Sequence, residues 1–158
     1  MGTISVLANL SLDGVMQGPG RADEDTRGGF RHGGWGIGYA DEVIAKYVGG
    51  MDPAAAMLFG HRSYDDMLGH RTSVTDPNPF TEALVNAPQY VTSRRPGTDL
   101  AYLSLHAAGL VDECVLLIHP AVLGSGTRLF GAGERTDLAL QETITTTTGV
   151  LIARYLTS

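Results

Sequence analysis

Residues 54–68 read AAAMLFGHRSYDDML, and the fold turns on how that stretch is read. Met57-Leu58-Phe59 is a short apolar run of the kind a buried strand makes. Gly60 breaks it, and Arg62-Ser63-Tyr64-Asp65-Asp66 opens a predicted helix. A strand that feeds a helix through a glycine leaves backbone N–H groups unpaired at the helix start. Those groups, with the helix dipole, attract an anion. His61 and Arg62 can add positive charge there, and the Ser63 hydroxyl can donate to a phosphate oxygen. The plain alternative is a β–turn–α connection in which Ser63 caps the helix and Asp65 and Asp66 occupy its first turn. One glycine does not decide between the two; its surroundings must.

Working outward, residues 3–10 (TISVLANL) are nearly continuous in apolar character and suit a central strand covered on both faces. Asp13-Gly14 and Gln17-Gly18-Pro19-Gly20 follow as turn and loop signals. Residues 21–38 are polar and glycine-rich, either a mobile linker or a binding loop; Phe30 and Trp35 tip the reading toward the loop. Residues 39–48 (YADEVIAKYV) have helical spacing, with Gly49-Gly50 as a stop. On the other side, residues 69–80 read as loop, 81–86 as a short helix, 89–93 (QYVTS) as a strand and 100–108 (LAYLSLHAA) as a helix. Residues 113–119 (ECVLLIH) form a strongly apolar strand, and 120–133 a second glycine-rich loop around Gly124-Ser125-Gly126. Residues 138–147 and 149–155 read as a terminal β-hairpin. Strands alternating with helices and closing on a hairpin predict one α/β domain over residues 1–158, three-layered, with a mixed sheet. Ligands of such sheets bind at the carboxyl ends of strands. Asp13-Gly14, residues 60–63 and Ser93-Arg94 each follow a predicted strand, which points to one composite site.

The bulk numbers restrict the partners. The chain has 158 residues and a net charge of −6, from 11 basic and 17 acidic residues. A core of that size is ample, and the acidic balance argues against nucleic acid or an anionic membrane as the main partner. No apolar run reaches membrane-spanning length, and the first residues carry no basic n-region for secretion. A cytoplasmic location is expected. The single cysteine, Cys114, lies in an apolar run and reads as a core thiol rather than a nucleophile. The five histidines show no metal-ligand spacing, so no metal site is expected.

The chemistry-bearing residues each have two readings. Thr92-Ser93-Arg94-Arg95 offers two hydroxyls and two guanidiniums at a strand end, fit for a phosphate monoester or for a solvated turn. Asp13 could hold a polar substrate group or assist proton delivery, or it could shape the turn with Gly14. His119 follows a strand and faces either the crevice or the core.

Residues 4–18 (ISVLANLSLDGVMQG), 58–68 (LFGHRSYDDML), 79–94 (PFTEALVNAPQYVTSR) and 109–130 (GLVDECVLLIHPAVLGSGTRLF) resemble the dihydrofolate-reductase-like superfamily. The branch is that of the C-terminal reductase domain of the bifunctional riboflavin-biosynthesis enzyme. The resemblance implies a mixed, mainly parallel sheet flanked by helices, NADPH as cofactor, and hydride transfer to a small heterocyclic or carbonyl substrate. The riboflavin-pathway counterpart is 5-amino-6-(5-phosphoribosylamino)uracil reductase, and a homodimer is implied by analogy. By the same resemblance Gly60, His61, Arg62 and Ser63 would grip the cofactor phosphates, with Thr92, Ser93 and Arg94 near the adenosine 2′-phosphate. Asp13 and Gly14 would line the substrate end, with Met16 close to the nicotinamide. Leu123, Gly124 and Ser125 would border that cavity, with Gly124 toward the cofactor.

The chain departs from the family pattern at three places. His61 stands where many relatives carry arginine. The acidic substrate residue of the first helix has no clear counterpart, since Asp41 and Glu42 lie on a different pattern. Residues 95–108 leave room for one helical crossover but not for the further strands and the cofactor-facing glycine turn of relatives. Either the segment is naturally short or family residues are omitted from it. The alternative to an enzyme is a non-catalytic nucleotide-binding or self-associating member of the same fold.

Overall fold

The computed structural model describes residues 2–52, 55–72, 86–92, 105, 108–131 and 135–157. The chain divides into two compact units, one of Met1–Asp41 with Tyr102–Ser158 and the other of Glu42–Ala101.

The first unit is built on a four-stranded sheet of β1 (Ser5–Ser11), β4 (Glu113–His119), β6 (Leu151–Thr157) and β5 (Leu138–Thr145), in that spatial order. β1 runs parallel to β4, with Ser5 opposite Glu113 and Ser11 opposite His119. β6 is antiparallel both to β4 and to β5, with a register shift between Leu140 and Glu142. The expected α/β architecture with a mixed sheet and a terminal hairpin is therefore present. β4 is interior, and residues 114–117 are all buried, as its unbroken apolar sequence requires. Its core joins Leu10, Val111, Cys114, Leu116 and Leu129, with Met16, Ile118 and Tyr155 packed alongside. Cys114 is fully buried there, as its sequence context indicates.

β1 differs from the reading of residues 3–10 as a central strand covered on both faces. It stands at one end of this sheet, and only Leu10 and Ser11 are fully buried. The physical reason is its pairing: among the described strands β1 bonds to β4 alone. Residues 18–41 between β1 and α1 hold two short 3-10 turns, Arg27–Gly29 and Ile37–Tyr39.

The second unit carries α1 (Glu42–Gly49), β2 (Met57–Gly60), α2 (His61–Thr72) and β3 (Gln89–Thr92). β2 and β3 are parallel, with Gly60 opposite Thr92. α2 starts at His61, so Ser63 stands inside its first turn, and no acid lies in that turn. The capping alternative for Ser63, with Asp65 and Asp66 in the first turn, is thereby corrected. α2 also continues through Gly69 to Thr72, where the sequence suggests loop. A glycine in an exposed helix costs about 1 kcal/mol against alanine, too little to end one that is otherwise supported. The predicted helix over 100–108 falls, except for Leu105, outside or at the edge of the described residues, and that over 81–86 lies almost wholly outside them.

Candidate functional site

In the first unit the candidate side chains gather where the parallel pair β1 and β4 ends. Ser11 and His119 are register partners at that edge. The chain leaves β1 through a turn in which the Gly14 amide donates to the Ser11 carbonyl at 2.9 Å. Gly14 has φ +81°, a left-handed conformation that suits glycine. The Ser11 hydroxyl accepts from the Val15 amide at 2.9 Å and donates to Asp13 Oδ1 at 2.7 Å.

The chain leaves β4 through Pro120 and returns toward the same turn. There the Leu123 amide donates to Asp13 Oδ1 at 3.0 Å and the Gly124 amide to Oδ2 at 2.8 Å. Arg128 Nε donates to the Asp13 carbonyl at 2.9 Å, and its terminal nitrogen stands 3.8 Å from Oδ2. The structure thus brings together Asp13, Gly14, Leu123 and Gly124, although 110 residues separate the two loops. The Leu123 amide first, then Ser11 and the Gly124 amide, hold the Asp13 carboxyl well below the usual carboxylate range. An acid so held is an acceptor at neutral pH and ties the two loops together. Ser125, the next residue of the loop, is exposed, and Met16 packs against the sheet core.

Two features of this edge go beyond the sequence reading. Gln17 is buried, and its side chain is a junction. Nε2 donates to the Arg27 carbonyl at 3.0 Å, to Asp25 Oδ1 at 3.1 Å and to the Asp25 carbonyl at 3.2 Å. Oε1 accepts from the Thr127 amide at 2.8 Å. Trp35 Nε1 donates to the Gln17 carbonyl at 2.7 Å. At the other end of the loop, Asp41 Oδ2 accepts from the Thr147 amide at 2.8 Å and its hydroxyl at 2.7 Å, in the turn of the β5–β6 hairpin. Residues 18–41 are therefore a strap fixed at both ends, which settles the linker-or-loop alternative in favour of an ordered loop. The only advance signal for Gln17 is a lone amide among Gly18, Pro19 and Gly20.

The second feature is His119. It is 3% exposed, so the reading of it as a buried histidine holds, but only half of it is satisfied. Nε2 lies 2.9 Å from Asn9 Oδ1, whereas Nδ1 is buried without a hydrogen-bond partner among the described residues. Trp35 and Tyr39 of the strap meet its ring edge-on, with centroids at 5.1 and 5.4 Å. Burial pushes the imidazole pKa down, so the ring is neutral.

In the second unit the register of β2 on β3 places Gly60 beside Thr92, at the carboxyl ends of a parallel pair. His61, Arg62 and Ser63 follow Gly60 as the exposed first turn of α2, and His61 Nδ1 is 3.1 Å from Asp65 Oδ2. Among the described residues, an added Cβ at Gly60 meets nothing within 4 Å. An exposed helix start without an acid in its first turn, beside a second strand end, suits a phosphate. Ser93 and Arg94 lie outside the described residues. Among the described residues, no helix is long and apolar enough to cross a membrane.

Residues 95–152 match the family model described as RibD C-terminal domain, and the match takes in the short stretch 95–108. No curated protein matches the chain in sequence. The fold is similar to that of a solved protein from Shewanella sp. PV-4 assigned to riboflavin biosynthesis, 16% identical with a TM-score of 0.56. That similarity covers 99% of each chain. A pyrimidine reductase-like protein from Corynebacterium diphtheriae is 14% identical, with a TM-score of 0.60 over 99% of this chain and 92% of that one. RibD of Acinetobacter baumannii is 12% identical, with a TM-score of 0.60 over all of this chain and 58% of that one. The matched family model and the riboflavin-biosynthesis structures fall on the branch that residues 4–130 resemble.

Proposed function

From a chain that has the fold of the RibD C-terminal branch and its sequence signature over residues 95–152, we propose an NADPH-dependent reductase of a small heterocyclic or carbonyl substrate. The riboflavin-type 5-amino-6-(5-phosphoribosylamino)uracil reductase is its functional analogue. The observation that carries the reading is the register of Gly60 on Thr92. It sets side by side two segments, 32 positions apart by their numbers (92 − 60), that independently suit phosphate.

In this reading Gly60, His61, Arg62, Ser63 and Thr92, with the adjoining Ser93 and Arg94, hold the phosphates of NADPH. The cofactor, when bound, supplies the hydride. Charge-assisted bonds to phosphate free the rest of the binding energy to orient the nicotinamide. The family resemblance alone assigns Met16 to the nicotinamide, and Asp13, Gly14, Leu123, Gly124 and Ser125 to the substrate end. Asp13 acts there as a fixed carboxylate that sets the position of the Leu123 and Gly124 amides, not as an acid that delivers a proton. A homodimer in the cytoplasm completes the proposal.

The rival is a nucleotide-binding member without turnover, and the saturation of Asp13 by structural donors favours it. Titrating NADPH while following its fluorescence separates the two. Binding with oxidation across pterins, pyrimidines and quinones supports the reductase; tight binding with no oxidation supports the rival. No binding at all refutes both.

A further inference from the structure

We propose that His119 is a specificity-determining residue of the substrate end, its Nδ1 accepting a hydrogen bond from a ring N–H of a pyrimidine-like substrate. The proposal deepens the reductase reading above and rests on it.

The Asn9 carboxamide oxygen can only accept, so the neutral His119 ring carries its proton on Nε2 and leaves Nδ1 as a bare acceptor. A buried acceptor without a donor is disfavoured and calls for an explanation. The position of this one supplies it. His119 is the last residue of β4, opposite Ser11 at the end of β1, where ligands of parallel strands bind. The groups in ring contact with it are aromatic: Trp35 and Tyr39. Both belong to the strap, and Gly34, Gly36 and Gly38 flank them. Entry at this edge requires the two rings to turn away from His119, which breaks the Trp35 Nε1 bond to the Gln17 carbonyl, while the strap stays held through Gln17 and Asp41 at its ends. A flat heterocycle entering there finds aromatic faces for its ring and one acceptor for its N–H. The same acceptor offers nothing to a quinone, which has no ring N–H, so it selects among the acceptors of a hydride.

Trp35 is the single tryptophan and touches the His119 ring, so its emission reports the event directly. The probes are 5,6-diaminouracil and its N1,N3-dimethyl derivative, titrated in the presence of NADP+ into wild type, His119→Gln and His119→Asn. Glutamine keeps a donor for Asn9 and carries its acceptor, Oε1, beside that donor rather than at the Nδ1 position, whereas asparagine keeps an acceptor near the Nδ1 position. Wild type should bind diaminouracil about tenfold more tightly than the dimethyl form, the effect of one hydrogen bond. His119→Gln should lose that preference and His119→Asn should retain most of it, with thermal melts confirming that each is folded. A folded His119→Gln that keeps the preference overturns the proposal, as does a wild type that binds both uracils equally. Should His119→Gln fail to fold, the wild-type preference and its retention in His119→Asn decide. NADP+ binding with no response to either uracil sinks this proposal and leaves the reductase reading standing. No NADP+ binding removes the reading and the proposal with it.

Discussion

Replacing Gln17 by glutamate changes one nitrogen to oxygen and reverses the chemistry of the junction. Oε1 still accepts from the Thr127 amide, but the atom in place of Nε2 now faces the Asp25 carbonyl, the Arg27 carbonyl and an Asp25 carboxylate oxygen at 3.0–3.2 Å. At pH 7 two carbonyls lose a donor and two carboxylates are pushed together. Each orphaned group costs about 1–3 kcal/mol, and since these are only partly buried the low end applies, about 2–3 kcal/mol for the pair. At about 2–4 °C per kcal/mol for a chain of this size, the melting temperature should fall by about 5–10 °C. The sign of the pH dependence follows from the same contacts. The introduced carboxyl is disfavoured as a charge in the folded state, so its folded pKa lies above the unfolded value of about 4.3. The penalty is complete above the folded pKa and fades as pH falls through it, because the protonated acid regains one donor. Asp25 stays ionised across this window, since its hydrogen bond with Arg27 holds its pKa down. Melts of wild type and Gln17→Glu, followed by circular dichroism and by Trp35 emission, should therefore differ most at pH 7 and converge toward pH 4.5. A variant that melts within about 2 °C of wild type at pH 7, or whose deficit grows as pH falls, would refute the reasoning.

Asp13, with its pKa depressed by the Leu123 amide, gives stability that is complete above the unfolded pKa of about 3.9 and is lost as pH falls through the lower folded value. Asp13→Asn should accordingly lower the urea midpoint at pH 7 and flatten the acid limb of its pH profile; an unchanged limb would show that the two loops do not depend on the carboxylate. Gly126→Ala places a Cβ 2.7 Å from Phe30 and Val15 at φ +116°, and should destabilise by about 2–4 kcal/mol in denaturant unfolding. A loss under about 0.5 kcal/mol would mean that the strap does not press on this loop. Arg62→Ala should weaken NADPH by about 10–100-fold, the effect of a charge-assisted bond, with calorimetry as the measure. Arg94→Ala should weaken NADPH far more than NADH, and equal losses for both would remove the 2′-phosphate assignment.

Legibility in the sequence followed the range of the interactions. β4 is readable because ECVLLIH must be buried on both faces wherever it lies, and its bounds agree with those read from the sequence. The hairpin of β5 and β6 is readable because its turn is local, with Gly149 at φ +84°. The β2–Gly60–α2 connection is readable for the same reason. Its exact start is not: whether Ser63 caps the helix or sits within it depends on a small shift of register, and both choices leave the periodicity unchanged.

The strap and its supports are a different case, because their partners lie far away along the chain. Gln17 acts through Thr127, Asp41 through Thr147 and Asn9 through His119, each separated by 106–110 residues. No window of sequence contains both members of any such pair, so Asp13-Gly14 reads equally well as a turn or as a site. The structure shows that the two readings are not exclusive. Asp13 makes the turn with Ser11 and at the same time fixes the Leu123 and Gly124 amides across it. A carboxylate satisfied three times over positions its neighbours and has little left for a substrate. His119, which the sequence leaves between crevice and core, is buried and keeps an acceptor without a donor among the described residues at the end of a parallel strand. Free hydrogen-bonding capacity, rather than residue type, is the basis on which we propose substrate recognition at this edge for His119 and loop positioning for Asp13, and the diaminouracil titration tests that assignment.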